Sequence, residues 1–204
     1  MEFSGKKVTV VGTGISGIGA VGLLNAVGAE VVLYDGNEKL KIEDIEKKLG
    51  TYKAEIVLGE LTKELTDSSD LLVISPGVPI DSPVVKAFEA AGVPIWGEVE
   101  LAYAFDKGKV LAITGTNGKT TTTALVGQIV GAYHKDTFVV GNIGNPYTTE
   151  VLKSNKDSYT VAEISSFQLE TVHEFHPLVS AILNITPDHL NRHYTMDCYV
   201  QTKE

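Results

Sequence analysis

KVLAITGTNGKTTTTAL, residues 109–125, decides how the rest of the chain is read. Its apolar run Val110-Leu111-Ala112-Ile113 has the make-up of a buried strand, and it enters a turn of Gly115, Thr116, Asn117 and Gly118 before Lys119 and Thr120. The Thr/Ala/Leu segment that follows can be helical, from about Lys119 to Val130. Strand, glycine-rich turn and helix in that order make a phosphate loop. Backbone N–H groups and the positive helix end face phosphate oxygens, the Lys neutralises them, and the Thr hydroxyl can reach Mg²⁺. Thr121, in the same first turn, belongs to the expected nucleotide site. The strict pattern G-x-x-x-x-G-K-[ST] wants glycine where Ile113 stands, so the loop needs support from elsewhere in the chain. A glycine-rich turn without ligand is the plainer alternative, but Lys119 followed by four threonines has no packing rationale.

A chain of 204 residues allows one large or two small domains, and 43% hydrophobic with 21% charged residues is the balance of a soluble globular protein. Seventeen basic against 26 acidic residues give a net charge of −9 with no Lys/Arg-rich run, which argues against a nucleic-acid surface. Anionic ligands must then be held locally. The single cysteine, Cys198, excludes an internal disulfide, fits a reducing compartment and is expected as a semi-buried helix residue. No signal core opens the chain and no apolar stretch approaches the length of a membrane span, so a cytoplasmic protein without a membrane partner is expected.

Upstream, Lys7–Val11 is a compact β-branched run followed by Gly12-Thr13-Gly14-Ile15-Ser16-Gly17 and a helical pattern over Ile18–Val27, closed by Gly28. This is G-x-G-x-x-G between a strand and a helix. The next strand, Glu30–Tyr34, ends in Asp35, 18 residues past Gly17, where a dinucleotide-binding unit places the carboxylate that holds a ribose or base. Glycines that merely allow close strand–helix packing, with Asp35 opening a turn at Gly36 and Asn37, remain the alternative. Lys39–Leu49 reads as a surface helix, Ala54–Leu58 and Asp70–Ser75 as strands. The second of these ends in Ser75-Pro76-Gly77-Val78-Pro79, at the strand end where α/β sheets bind ligands. Ser82 and Pro83 look like N-cap and first residue of a helix to Ala91, before a strand at Val93–Trp96 and a helix at Glu98–Phe105. Alternating strands and helices imply parallel sheets, with a domain boundary near Gly97.

The second unit continues with a strand at Phe138–Val140 and the loop Gly141-Asn142-Ile143-Gly144, whose glycines allow close approach to a ligand. The strand Ser158–Glu163 ends in a carboxylate, which can share Mg²⁺ with the phosphate-loop hydroxyl, although Glu163 could also cap the turn at Ser165-Ser166. A strand at Val179–Ile185 leads to Thr186-Pro187-Asp188-His189-Leu190-Asn191-Arg192-His193, where His, Asp and Arg can serve metal and phosphate. Spacing alone leaves that role and a structural one equally open.

Taken together, GTNGKTTTTAL at Gly115–Leu125, GNIG at Gly141–Gly144, AEISSFQLE at Ala162–Glu170 and ILNITPDHL at Ile182–Leu190 resemble the Mur ligase family over essentially the whole chain. That family uses Gly-x-x-Gly-Lys-[Ser/Thr], which accommodates Ile113, and Asn117 matches its D-glutamate-adding members, whereas L-alanine-adding members usually have His there. Asn191 stands where Asp usually follows DHL, and Gly36-Asn37 differ from the Thr-Arg of some relatives.

The resemblance implies a Rossmann-like parallel-sheet domain over residues 1–97 that binds UDP rather than NAD, then over residues 98–204 the first part of a P-loop-type α/β domain that binds ATP. It implies an amide-forming reaction in which ATP phosphorylates the carboxylate of UDP-N-acetylmuramoyl-L-alanine and D-glutamate attacks the acyl phosphate. Lys119 would neutralise phosphate charge, with Thr120 and Glu163 at one Mg²⁺ and Glu163 and His189 at a second. A carbamylated lysine bridging to that second metal falls by register on Lys203. Gly14, Ile15, Ser16, Gly17, Asp35, Gly36, Ser75, Pro76, Gly77, Asn142 and His189 would surround the UDP substrate. The family also implies that the ATP domain is incomplete here, that a D-glutamate-binding domain lies beyond Glu204, and that the whole protein is a monomer. A fragment would keep the UDP pocket, lose ligase activity and expose an unpaired sheet edge. An NAD-dependent oxidoreductase and a stand-alone P-loop ATPase are the competing readings.

Overall fold

Short apolar runs, many of them β-branched, set the framework, and helices carry the chain back between them. The computed structural model describes residues 2–204. In chain order the elements are β1 (Lys7–Val11), α1 (Ile15–Ala26), β2 (Glu30–Asp35), α2 (Ile42–Leu49), β3 (Glu55–Leu58), α3 (Lys63–Ser68), β4 (Leu71–Ile74), α4 (Pro83–Ala90) and β5 (Ile95–Gly97). Then follow α5 (Glu98–Tyr103), β6 (Lys109–Thr114), α6 (Lys119–Tyr133), β7 (Thr137–Gly141), α7 (Tyr147–Glu150), β8 (Tyr159–Glu163), α8 (Ser166–Leu169), β9 (Val179–Ile182), α9 (Leu190–His193) and α10 (Met196–Lys203). The strands form two parallel sheets, ordered β3-β2-β1-β4-β5 and β7-β8-β6-β9. This is the α/β architecture expected from the alternation of strand and helix patterns.

Because both faces of a parallel sheet are covered, its strands are apolar on both sides. Val8, Val10, Leu33 and Val73 belong to one core with Leu23 and Leu24 of α1. Val11, Val32, Leu72 and Ile74 turn the other way, onto Leu65, Val85 and Phe88. The first core does not stop at β5. Val99, Leu101 and Ala102 of α5 carry it into Val110, Ala112, Val140, Tyr147, Ala162 and Ile164 of the second sheet.

Two carboxylates fix this junction, Glu100 buried and Asp106 half-buried. Glu100 accepts hydrogen bonds from the backbone N–H groups of His173, Glu174 and Phe175, at 2.8, 2.8 and 3.2 Å. Asp106 accepts from Tyr147 Oη at 2.6 Å, Thr160 Oγ1 at 2.8 Å and Gly108 N at 2.7 Å. Several donors on one carboxylate compensate its desolvation.

Some sequence expectations shift. The second helix starts at Ile42 instead of Lys39, because Asp35 and Asn37 accept from the N–H groups of Asn37 and Lys39 and hold that stretch as turns. The last strand stops at Ile182 instead of Ile185, because Asn184 turns its carbonyl and side chain onto the phosphate loop. Ser82 sits at the N-cap position of α4, yet its hydroxyl makes no capping bond. Cys198 lies in a helix but is exposed, not semi-buried. The outer strand β9 pairs with β6 alone, and its own Val179 and Ile182, with Leu178 just before it, are exposed. Among the described residues no helix is long and apolar enough to cross a membrane.

The glycines after β1 divide by purpose. A Cβ on Gly17 would lie 1.9 Å from the Gly12 carbonyl oxygen, whereas Gly14 has nothing within 4 Å. Gly17→Ala should therefore destabilise the fold by about 1–3 kcal/mol or more, while Gly14→Ala leaves stability nearly unchanged. Urea unfolding of both variants checks this, and equal losses would remove the distinction.

Candidate functional site

Strand β6 delivers the chain into the phosphate loop, and Gly115 (φ 145°) and Gly118 (φ 82°) supply the positive φ angles that let it turn into α6. The loop is cradled from one side. Thr116 N donates to the Asn184 carbonyl at 2.9 Å, Asn117 N donates to Asn184 Oδ1 at 2.9 Å, and Asn184 Nδ2 returns a bond to the Asn117 carbonyl at 2.9 Å. Thr116 Oγ1 donates to the Thr186 carbonyl and lies 3.1 Å from Tyr199 Oη. Lys119 Nζ donates to the Thr116 carbonyl at 2.9 Å, folded over its own loop. Thr120 and Thr121 are exposed at the start of α6.

Register places Glu163 beside this loop: β6 and β8 pair with Ile113 opposite Glu163. Glu163 is 1% exposed, Oε1 accepts from Asn142 Nδ2 at 2.9 Å, and Oε2 has no partner. An orphaned buried carboxylate oxygen next to a phosphate loop is a fit for a cation. Glu163 does not cap the next turn; Ser165 does that itself, in a capping box with Gln168.

Lys203 reaches the loop from α10, donating to Thr114 Oγ1 at 3.0 Å and the Gly115 carbonyl at 3.3 Å. Burial first, then repulsion from Lys119, lowers its pKa to about 8, against a smaller opposing pull from Asp188. His189 sits at a left-handed φ of 51° with its ring 4.8 Å from Phe167. A non-glycine residue held there costs roughly 1–3 kcal/mol and marks a position worth explaining. Among the described residues no three His, Cys, Asp or Glu side chains gather as a metal-binding group, so any cation here would also need hydroxyl, phosphate or water oxygens.

Between the two sheets lies a cavity of about 480 Å³, lined by Gly14, Ile15, Ser16, Ser75, Pro76, Gly77, Glu98, Gly141, Asn142, Gly144, Pro146 and Gln168. The first sheet creates it: β1 and β4 are neighbours from which the chain departs in opposite directions, and ligands bind beyond the strand ends at such a point. The structure thus gathers Gly14, Ile15, Ser16, Ser75, Pro76, Gly77 and Asn142. It does not bring Asp35, Gly36 or His189 to the cavity wall, and Gly17 is buried against Gly12. Asp35 is occupied by Thr13, whose Oγ1 donates to Oδ2 at 3.0 Å, and by Asn37 N.

Sequence reasoning missed Glu98 and Gln168. Glu98 is 2% exposed, accepts from Gln168 Nε2 at 2.8 Å and has an unpartnered Oε2; burial raises its pKa against Ser16 and Gln168, which lower it. Within Glu98–Phe105 no local signal separates a cavity carboxylate from a surface one. Asn184 and Tyr199 were missed for the same reason: their partners are 67 and 83 residues away in sequence.

The chain matches the family models described as "Mur ligase MurD-like, N-terminal domain" over residues 6–97 and "Mur ligase middle domain" over residues 113–204. It is similar to the UDP-N-acetylmuramoylalanine--D-glutamate ligases of Lachnospira eligens and Lachnoclostridium phytofermentans, 72% and 60% identical over 204 residues. In both cases 100% of this chain and 45% of the relative are covered, so the chain spans under half the length of these curated relatives. Among solved structures it is similar to the UDP-N-acetylmuramate:L-alanyl-gamma-D-glutamyl-meso-diaminopimelate ligase from Neisseria meningitides. The TM-score is 0.61 at 18% identity, covering 98% of this chain and 66% of that one, which is a likeness of fold.

The lowered pKa of Lys203 carries a sign. Between about pH 8 and the ordinary lysine value the unfolded chain holds a proton that the folded chain has released, so stability rises with pH across that window. Denaturation of wild type and Lys203→Met from pH 7 to 10 should show this rise in the wild type only. Parallel curves would rule it out.

Proposed function

The chain belongs to the Mur ligase family, and from that membership we propose that it forms the UDP-binding part and a portion of the ATP-binding part of an amide-forming ligase of peptidoglycan precursor synthesis. The reaction is the addition of D-glutamate to UDP-N-acetylmuramoyl-L-alanine in the cytoplasm by a monomeric enzyme. Residues 1–97 are the UDP-binding domain, and residues 98–204 belong to the ATP-binding domain.

The observation that carries this reading is the bond from Asn142 to Glu163, which places an inter-sheet cavity and a phosphate loop on either side of one side-chain pair. A ligase needs that adjacency, since a carboxylate on the end of one ligand must meet the phosphate of another. In the cavity, Gly14 leaves room for a diphosphate against backbone N–H groups, and Ser16 and Ser75 offer hydroxyl donors. Ile15, 79% exposed, offers an apolar surface to a base. Asn142 would touch the muramoyl part while holding Glu163 in place.

ATP with Mg²⁺ would supply the phosphoryl group that activates the substrate carboxylate. Gly115, Thr116, Asn117, Gly118, Lys119, Thr120 and Thr121 would hold the nucleotide, with Lys119 neutralising phosphate oxygens. The orphaned oxygen of Glu163 and the hydroxyl of Thr120 fit a cation, with His189 and Lys203 at a second position. Lys203 suits carbamylation chemically, because a buried amine with a pKa near 8 has a reactive neutral fraction at mild pH.

Calorimetric titration tests the reading. UDP and UDP-N-acetylmuramoyl-L-alanine should bind the 204-residue chain, and NAD should not. Gly14→Ala should weaken UDP binding about tenfold or more, since its Cβ would occupy ligand space without disturbing the fold. Binding of NAD in place of UDP, or UDP affinity untouched by Gly14→Ala, would overturn the assignment of the cavity. Mixed with ATP, Mg²⁺ and both substrates, this chain alone should form no D-glutamate amide at a normal enzymatic rate; full turnover would refute the assignment of activity to the longer protein.

A further inference from the structure

One guanidinium touches three separate parts of the molecule. Arg192, in α9, is largely buried, its side chain 12% exposed, and its partner Glu170 is 6% exposed. Arg192 Nε donates to both oxygens of Glu170, at 3.1 and 3.2 Å, and Nη2 donates to Oε2. The same Nη2 donates to the Val78 carbonyl at 2.9 Å, 114 residues away in sequence and in the other sheet's territory. The guanidinium carbon also lies 4.9 Å from the centre of the Phe167 ring.

Each contact leads to the site. Val78 closes a turn by donating its N–H to the Ser75 carbonyl at 2.9 Å, and Ser75, Pro76 and Gly77 within that turn line the cavity. Phe167 packs on His189 and neighbours Gln168, which holds Glu98 in the cavity wall. The backbone N–H groups of Arg192 and His193 both donate to the His189 carbonyl, at 2.9 and 3.0 Å, fixing the left-handed turn that presents the imidazole. His193 continues the anchor, with Nε2 2.9 Å from Ser166 Oγ.

A surface ion pair would couple little of this. A buried, forked guanidinium with a further carbonyl acceptor is different: it has few alternative geometries, and losing one acceptor leaves a desolvated donor unpaired. We propose that Arg192 is a positioning residue that couples the cavity loop Ser75–Val78 to the turn carrying His189, so that filling the cavity sets the orientation of His189. The proposal rests on reading the cavity as a UDP site.

The test uses the 204-residue chain with UDP as probe. Calorimetry gives affinity, and carbon-13 labelling of histidine reports the His189 ring, identified by its loss in His189→Asn. In the wild type, UDP should bind and shift the His189 signal. In Arg192→Lys, which keeps the charge but loses the fork, UDP should bind about tenfold more weakly, and at saturation the His189 signal should stay at its ligand-free position. Tyr194→Phe removes a different bond across to the first unit, from Tyr194 to Asp81, without touching the cavity loop, and should keep both responses. If Arg192→Lys does not fold, Glu170→Gln, which leaves the guanidinium but slackens its anchor, should show the same loss of the His189 response. UDP binding with an unmoved His189 in the wild type, or a full His189 shift in a folded Arg192→Lys or Glu170→Gln chain, overturns the coupling alone. No UDP binding by the wild type overturns the cavity reading and the coupling with it.

Discussion

Parallel strands cannot be joined by tight turns, and that constraint builds this molecule. Every strand-to-strand return needs a crossover, usually a helix, so the carboxyl ends of all strands in a sheet point the same way and the loops that leave them collect along one edge. In the first sheet that edge carries the glycine loop after β1 and Ser75–Gly77 after β4. In the second it carries the phosphate loop after β6, Asn142 after β7 and Glu163 at the end of β8. The site is what results when those two edges face each other.

They face each other because the sheets share a core. Helix α5 is apolar enough to be buried along Val99, Leu101 and Ala102, and it belongs to both sheets. Its two carboxylates, Glu98 and Glu100, go inward as well, at a desolvation cost that differs between them. Glu100 recovers it through three backbone donors, whereas Glu98 keeps one oxygen without a partner. Glu163 repeats the second pattern. Unsatisfied buried oxygens are rare in folded proteins, and among the described residues the two that belong to carboxylates lie at the cavity and beside the phosphate loop.

The glycines tell a similar story of local permission and distant use. Gly17 and Gly141 stand where a side chain would overlap backbone, with Gly141 pressed against the Glu163 carbonyl, so their identity is fixed by packing. Gly14, the N-cap of α1, has open space around it, so packing does not require it. A pattern of three glycines in sequence therefore holds one position that packing fixes and one that it leaves free, which only the tertiary structure separates.

The sequence by itself determined the alternation of strands and helices, the parallel sheets, the phosphate loop and the placing of Glu163 at a strand end. These follow from short-range rules: apolar runs of strand length, glycines where φ must be positive, and a register of one or two residues. The tertiary structure alone decided that Glu98, Gln168, Asn184 and Tyr199 join the site, that Asp35 is taken up by Thr13 and Asn37, and that Arg192 reaches Val78. The reason is distance along the chain. Those contacts close over tens of residues, and local sequence pattern carries no record of which desolvated group will meet which partner once two sheets have packed on a single core.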